Sequence, residues 1–215
     1  LRREGAVIDI LLLHYTDMLS AGAALERLCS EVAKVSAHYL IDEDGTIYRL
    51  VPEAHRAWHA GVSFWNGERD INSRSVGIEL VNPGHSNGYR SFPPAQMEAL
   101  ASLAGEIVSR HAIPSERVLG HSDVAPTRKV DPGELFDWEW MAGQGIGMWP
   151  DSEAPVDDGI VGDQLARYGY ETGDDVVTLA SLKAFQRHFR PSRIDGIADE
   201  ETRRLLAALC RQAEV

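Results

Sequence analysis

Val7-Ile8-Asp9-Ile10-Leu11-Leu12-Leu13 is a short apolar run that ends on His14 and Tyr15. Extended, it carries apolar side chains on both faces, as a strand covered from both sides must. Residues 75–82, Ser-Val-Gly-Ile-Glu-Leu-Val-Asn, repeat the pattern with one misfit, Glu79, between Ile78 and Leu80. Residues 117–119 predict a third, shorter strand. Strands of this kind, separated by helical stretches, predict an α/β fold.

In such sheets ligands bind beyond the C-terminal strand ends. His14 stands at one of these ends. The third strand feeds Gly120-His121-Ser122-Asp123-Val124-Ala125-Pro126-Thr127-Arg128-Lys129-Val130-Asp131-Pro132-Gly133. Its prolines and terminal glycine predict a loop, and loops on a rigid scaffold carry chemistry. His14, His121 and Asp131 offer a zinc ion two imidazoles and a carboxylate, the donor set of an open catalytic site. They converge only if the strands that carry them are neighbours. A carboxylate in a buried strand is costly unless paired or functional, which makes Glu79 a candidate general base with a raised pKa. Lys129, two residues before Asp131, is placed to stabilise an oxyanion. The plainer alternatives are a core or capping role for His14, an open-face carboxylate for Glu79 and a surface position for Lys129.

Residues 21–35 predict an amphipathic helix, with Cys29 beside Leu25, Leu28 and Val32 on one face. Residues 35–51 predict a β-hairpin around the Asp42-Glu43-Asp44-Gly45 turn. His38 there reads as structural or site-lining rather than a ligand, and His55 as solvated. Residues 57–67, Ala-Trp-His-Ala-Gly-Val-Ser-Phe-Trp-Asn-Gly, suit neither helix nor strand. Trp58 and Trp65 either face a ligand or pin the loop to the core. Residues 93–111 predict the longest helix of this part, with His111 favourable at its C-terminal end. His85 falls in a loop and has no assigned role. Residues 136–142 are aromatic and close a domain spanning 1–142. Residues 143–158 lack periodicity and predict a linker. Residues 159–215 predict a small domain of three helices, at 160–168, 176–189 and 200–211, the last capped by Asp199.

The formal net charge of -12 argues against nucleic acid as a partner. No apolar run approaches the ~20 residues of a membrane span. No signal-peptide pattern opens the sequence, and Cys29 and Cys210 both read as small core residues. These features lean toward the cytoplasm, with the periplasm or envelope as the alternative. There is no G-x-S-x-G elbow, Walker loop or H-E-x-x-H, so those mechanisms fit less well than the His, His and carboxylate set. A carboxylate pair for glycoside hydrolysis stays open among the 33 acids, with nothing pointing to one.

Five segments together, LLLHYT at 11–16, VSAHYLI at 35–41, AWHAGVSFWNG at 57–67, NSRSVGIELVN at 72–82 and GHSDVAPTRKVDPG at 120–133, resemble the bacterial zinc N-acetylmuramoyl-L-alanine amidases. Peptidoglycan recognition proteins share that fold. The resemblance covers residues 7–140 and implies a mixed β-sheet flanked by helices. It implies that His14, His121 and Asp131 hold one zinc ion, that Glu79 is the catalytic acid/base and that Lys129 stabilises the oxyanion. It also implies that His59, Ala60, Trp65 and Asn72 line a groove for peptidoglycan or 1,6-anhydro-muropeptides. The tail resembles the peptidoglycan-binding domains of cell-wall hydrolases through Leu182-Lys183-Ala184-Phe185-Gln186-Arg187, Asp195-Gly196-Ile197-Ala198-Asp199 and Thr202. A glycine usual before the aspartate and threonine is missing there. The implied reaction is hydrolysis of the amide between N-acetylmuramic acid and L-alanine, in cell-wall recycling or turnover. The rivals are a non-catalytic recognition module and a zinc peptidase cutting within the stem peptide.

Overall fold

The computed structural model describes residues 1–151 and 153–213. Ser152, inside the expected linker, and residues 214 and 215, the end of the expected tail domain, lie outside the described residues. β1 (Ile10–Tyr15) is followed by α1 (Ala21–Leu28) and the hairpin of β2 (Tyr39–Ile41) and β3 (Ile47–Arg49). α2 (Ile71–Arg74), a single turn, runs into β4 (Ser75–Leu80). Then come α3 (Gly84–Asn87), α4 (Pro94–His111), β5 (Val118–Gly120), α5 (His121–Val124) and α6 (Trp138–Gly143). The tail is α7 (Val161–Tyr168), α8 (Asp175–Phe189) and α9 (Glu200–Gln212).

The sheet is mixed, in the order β3-β2-β4-β1-β5. β2, β4, β1 and β5 are parallel, and β3 pairs antiparallel at one edge. The doubly apolar reading of β1 has a simple cause. Leu11 and Leu13 enter one core with Val76, Ile78 and Leu80 and with Met97, Leu100, Ala104 and Ile107 of α4. Ile10 and Leu12 face the other way, into a core with Leu165 of α7, Phe185 of α8 and Leu206 of α9. Each of the larger side chains among these contributes about 1.5–3 kcal/mol by leaving water. The tail therefore covers the second face of the sheet. α1 covers the rest of that face, where its Ala21 and Ala24 share a core with Leu40 of β2 and Val81 after β4.

Three local expectations change. The first strand starts at Ile10, because Val7 is exposed and Asp9 turns to meet Arg74 and Arg117. α1 stops at Leu28, where the Cys29 N–H bonds back to Arg27 and Leu25. Beyond that point the apolar spacing has nothing to cover: Val32 is 89% exposed and Cys29 is exposed. Only Cys210 is a buried thiol, so the cysteine argument for a reducing compartment rests on it alone. The stretch after β5 is also not loop throughout, since residues 121–124 make one helical turn.

In the expected linker, Ile146 is buried beside Met141 and Trp138, while Met148 and Trp149 pack against the tail's core. Among the described residues no helix is long and apolar enough to cross a membrane.

Candidate active site

Three adjacent strand ends deliver the chemistry. His14 lies one residue from the end of β1, in register with Glu79 of β4. Parallel partners in register share a face, so the imidazole and the carboxylate project to the same side. Gly120 of β5 pairs with Leu13, and His121 follows it immediately. The chain then makes the α5 turn and returns to place Asp131 opposite. The Ser122 N–H donates to the Asp131 carbonyl at 2.9 Å and ties the two arms together.

His14 Nδ1, His121 Nδ1 and Asp131 Oδ2 form a nearly equilateral triangle. The separations are 2.9 Å between the two imidazole nitrogens, 3.1 Å from His14 to the carboxylate and 3.0 Å from His121 to it. All three residues are buried. Zinc with ligands at ~2.0–2.2 Å in tetrahedral geometry sets ligand–ligand edges of roughly 3.3–3.6 Å, so the triangle needs little opening to receive one.

The ring tautomers suit this use. The second nitrogen of His121, Nε2, donates to the Ala60 carbonyl at 3.0 Å, which turns Nδ1 toward His14 and Asp131. His14 Nε2 donates to His59 Nδ1 at 3.0 Å. His59 Nε2 in turn donates to Ser75 Oγ at 3.3 Å, and the Ser75 hydroxyl donates to the Ile71 carbonyl at 2.7 Å. Every link runs in one direction, so the chain of bonds fixes both rings. Burial, then the neighbouring His121, pushes the His14 pKa down to about 4, and burial holds His59 well below its usual value. Neutral rings are what a metal requires. Burial alone would raise Asp131, but His121 and His14 hold its carboxyl far below the usual range.

Glu79 is the opposite case. Its Oε2 is buried and has no hydrogen-bond partner among the described residues. Burial, with the charge of Asp131, raises its pKa well above the ordinary value, and only Lys129 pulls the other way. Glu79 and Lys129 line one cavity with the three ligands, about 550 Å³ in volume. Its walls include Arg27 and Leu28 of α1, Trp58, and His85 of α3.

The four residues expected to line a substrate groove are placed differently from one another. His59 reaches the cavity, but its ring supports His14. Asn72 Oδ1 accepts the backbone N–H groups of His59 and Ala60 at 3.0 and 2.9 Å, so Asn72 and Ala60 hold the supporting loop. Trp65 is 2% exposed and turned away, edge-on to Tyr168 and Tyr170 of the tail. Trp58, 48% exposed, is the tryptophan that faces the cavity. The two readings left open for these rings are thus divided between them.

Two residues escaped the sequence reading. Arg128 donates to the Ala60 and Val62 carbonyls and clips the loop of residues 57–67 onto the ligand loop. His85 Nδ1 meets the Tyr15 hydroxyl at 2.8 Å, and its ring stacks on Tyr89 with centroids 4.3 Å apart. The only signal for His85 was a histidine in a glycine-rich loop. His38 is structural: its Nδ1 accepts the Gly77 N–H at 2.9 Å and its Nε2 donates to the His55 carbonyl.

The family described as N-acetylmuramoyl-L-alanine amidase matches residues 4–134, and a peptidoglycan binding domain family matches residues 159–206. N-acetylmuramoyl-L-alanine amidase AmiD of Escherichia coli (strain K12) is 40% identical over 231 residues, covering 94% of this chain and 82% of that protein. A structure of AmiD in complex with the substrate anhydro-N-acetylmuramic acid-L-Ala-D-gamma-Glu-L-Lys superposes with a TM-score of 0.88 at 38% identity, covering 99% of this chain and 93% of that one. AmpDh3 from Pseudomonas aeruginosa, in complex with anhydromuramic pentapeptide, gives a TM-score of 0.87 at 34% identity, covering 96% and 92%. The 1,6-anhydro-N-acetylmuramyl-L-alanine amidase AmpD of Citrobacter freundii is 41% identical over 105 residues, 49% of this chain and 54% of that protein.

Proposed function

We propose a function from one premise: this chain belongs to the N-acetylmuramoyl-L-alanine amidase family. Its cavity hydrolyses the amide that joins the lactyl group of N-acetylmuramic acid to the L-alanine of the stem peptide. Muropeptides, including anhydro forms like those in the structures of AmiD and AmpDh3, are the substrates we assign to it.

The observation that carries this reading is the triangle of two Nδ1 atoms and one carboxylate oxygen beside a glutamate whose Oε2 has no hydrogen-bond partner among the described residues. His14, His121 and Asp131 would hold one zinc ion, which when bound polarises a carbonyl and lowers the pKa of water toward ~7. Glu79 accepts a proton as the oxygen of water bonds to the carbonyl carbon. Its raised pKa lets it keep that proton and then deliver it to the alanine nitrogen as the carbon–nitrogen bond breaks. Lys129 sets a positive charge at the cavity wall, where the carbonyl oxygen gathers negative charge. The products are the muramic lactyl acid and a stem peptide with a free amino terminus.

Mass spectrometry of a defined anhydro-muropeptide digest tests this directly. The expected products are free anhydro-N-acetylmuramic acid and the intact stem. Cleavage between stem residues instead would make the chain a zinc peptidase. Unchanged substrate would make it a recognition module.

A further inference from the structure

The tail reaches the metal-ligand turn through a buried carboxylate that the reaction does not use. Asp123 is fully buried, sits two residues after His121 and lies outside the cavity lining. It accepts three hydrogen bonds. The Gly120 N–H donates to Oδ2 at 2.7 Å, closing the α5 turn on itself. His188 Nδ1, from α8, donates to the same oxygen at 2.8 Å. The Tyr170 hydroxyl donates to Oδ1 at 2.7 Å. The two outside donors come from the tail and are themselves 3% and 1% exposed.

The His188 ring has no freedom to leave. It is stacked between Trp138 of α6, at 3.7 Å between centroids, and Phe189, at 3.9 Å. The turn is equally tight on its other side. A Cβ at Gly120 would stand 2.7 Å from Pro132 Cδ, next to the ligand Asp131. The Phe64 N–H bonds to the Val124 carbonyl at 2.8 Å, and the Asn66 N–H bonds to the Gly169 carbonyl at 2.8 Å. The segment that supports His121 through Ala60 is therefore anchored to the tail as well.

Units joined for reach alone meet through modest polar surfaces. Here the contact buries a charged group that would lose two of its three donors if the tail moved away. Partners behind a metal ligand set its orientation, and losing them weakens metal binding.

We propose that His188 and Tyr170 are positioning residues: through Asp123 they hold the α5 turn so that His121 faces His14 and Asp131. The tail is then part of the metal site's framework, whatever else it binds. This inference rests on the reading of His121 as a metal ligand.

Two variants of the full chain separate positioning from mere packing. His188→Phe keeps the stack between Trp138 and Phe189 and removes the donor. His188→Asn keeps a donor nitrogen where Nδ1 stood and loses the stack. Zinc affinity is read by competition with a chromogenic chelator, alongside kcat and KM on a soluble anhydro-muropeptide and the melting temperature. His188→Phe should bind zinc at least about tenfold more weakly. Its kcat should fall with KM unchanged, and it should also melt lower because the buried Asp123 loses a donor, so the loss of zinc affinity and kcat is what sets it apart from His188→Asn. His188→Asn should melt lower yet keep zinc affinity and kcat. Tyr170→Phe, which removes one hydroxyl, carries the same expectation as His188→Phe should that variant fail to fold. If the unaltered chain holds zinc, His121→Ala loses it and His188→Phe binds like the unaltered chain, the positioning inference is overturned and the metal reading stands. A chain that takes up no zinc overturns both.

Discussion

A Cβ on Gly77 would stand 2.5 Å from the ring of His59. That strand position shares its face with Glu79 and Ser75, and the missing side chain is the space in which His59 lies. His59 in turn holds His14. Gly77→Ala should therefore tilt His59, and zinc affinity should drop roughly 10–100-fold as the support of a ligand is lost; a chelator competition measures it. Glu79→Gln changes charge and proton affinity while keeping shape. It should lower kcat by about 10²–10⁴ with zinc still bound, which would show that the glutamate moves protons rather than holding metal. Lys129→Ala should cost about 10²–10³ in kcat, the scale for one oxyanion-stabilising group.

At the scale of elements, Glu53 shows what fastens α4 to the hairpin side of the sheet. Burial works to raise its pKa. The Tyr39 hydroxyl and His111 Nε2, each at 2.5 Å, and Arg110 at 2.7 Å outweigh that and bring it down to about 2. A carboxylate depressed on folding stabilises above its unfolded pKa of ~4.3 and loses that contribution as pH falls toward the folded value. The melting temperature should thus drop between pH 4.5 and 2 more steeply in the unaltered chain than in Glu53→Gln. The same scale decides what the sequence could reveal. Residues 10–15 and 75–80 were legible because a strand covered on both faces must be apolar on both. His14 and Glu79 stood out because one ends such a run and the other breaks it. His121 and Asp131 sit in a loop whose spacing is loose, and their convergence with His14 was implied only by the family resemblance. The early stop of α1 was not legible, since spacing cannot say whether a core lies opposite Val32. Nor was the role of His59, whose contact with His14 spans 45 residues and depends on a gap at Gly77. The α8 histidine at Asp123 is a still longer contact, 65 residues apart, and nothing near either residue announces it.

Across the whole molecule the sheet has one cover from α4 and another from the tail, and the site opens beside the second. Trp65 is the main bolt: it packs on Tyr168 and Tyr170, and a Cβ at Gly169 would come within 2.7 Å of its ring. Trp65→Ala should cost about 3–5 kcal/mol, seen as a lower midpoint in one cooperative denaturant transition; two separate transitions in the unaltered chain would contradict a shared core. All of this surrounds three side chains, distant in sequence, that meet in a triangle with edges of 2.9 to 3.1 Å. The most direct measurement is amidase activity on a defined anhydro-muropeptide before chelation, after complete metal removal, and during titration with zinc. We predict that activity vanishes with the metal and returns in full at one zinc per chain. Activity that persists in the metal-free protein, or that returns equally in His121→Ala, would contradict the account.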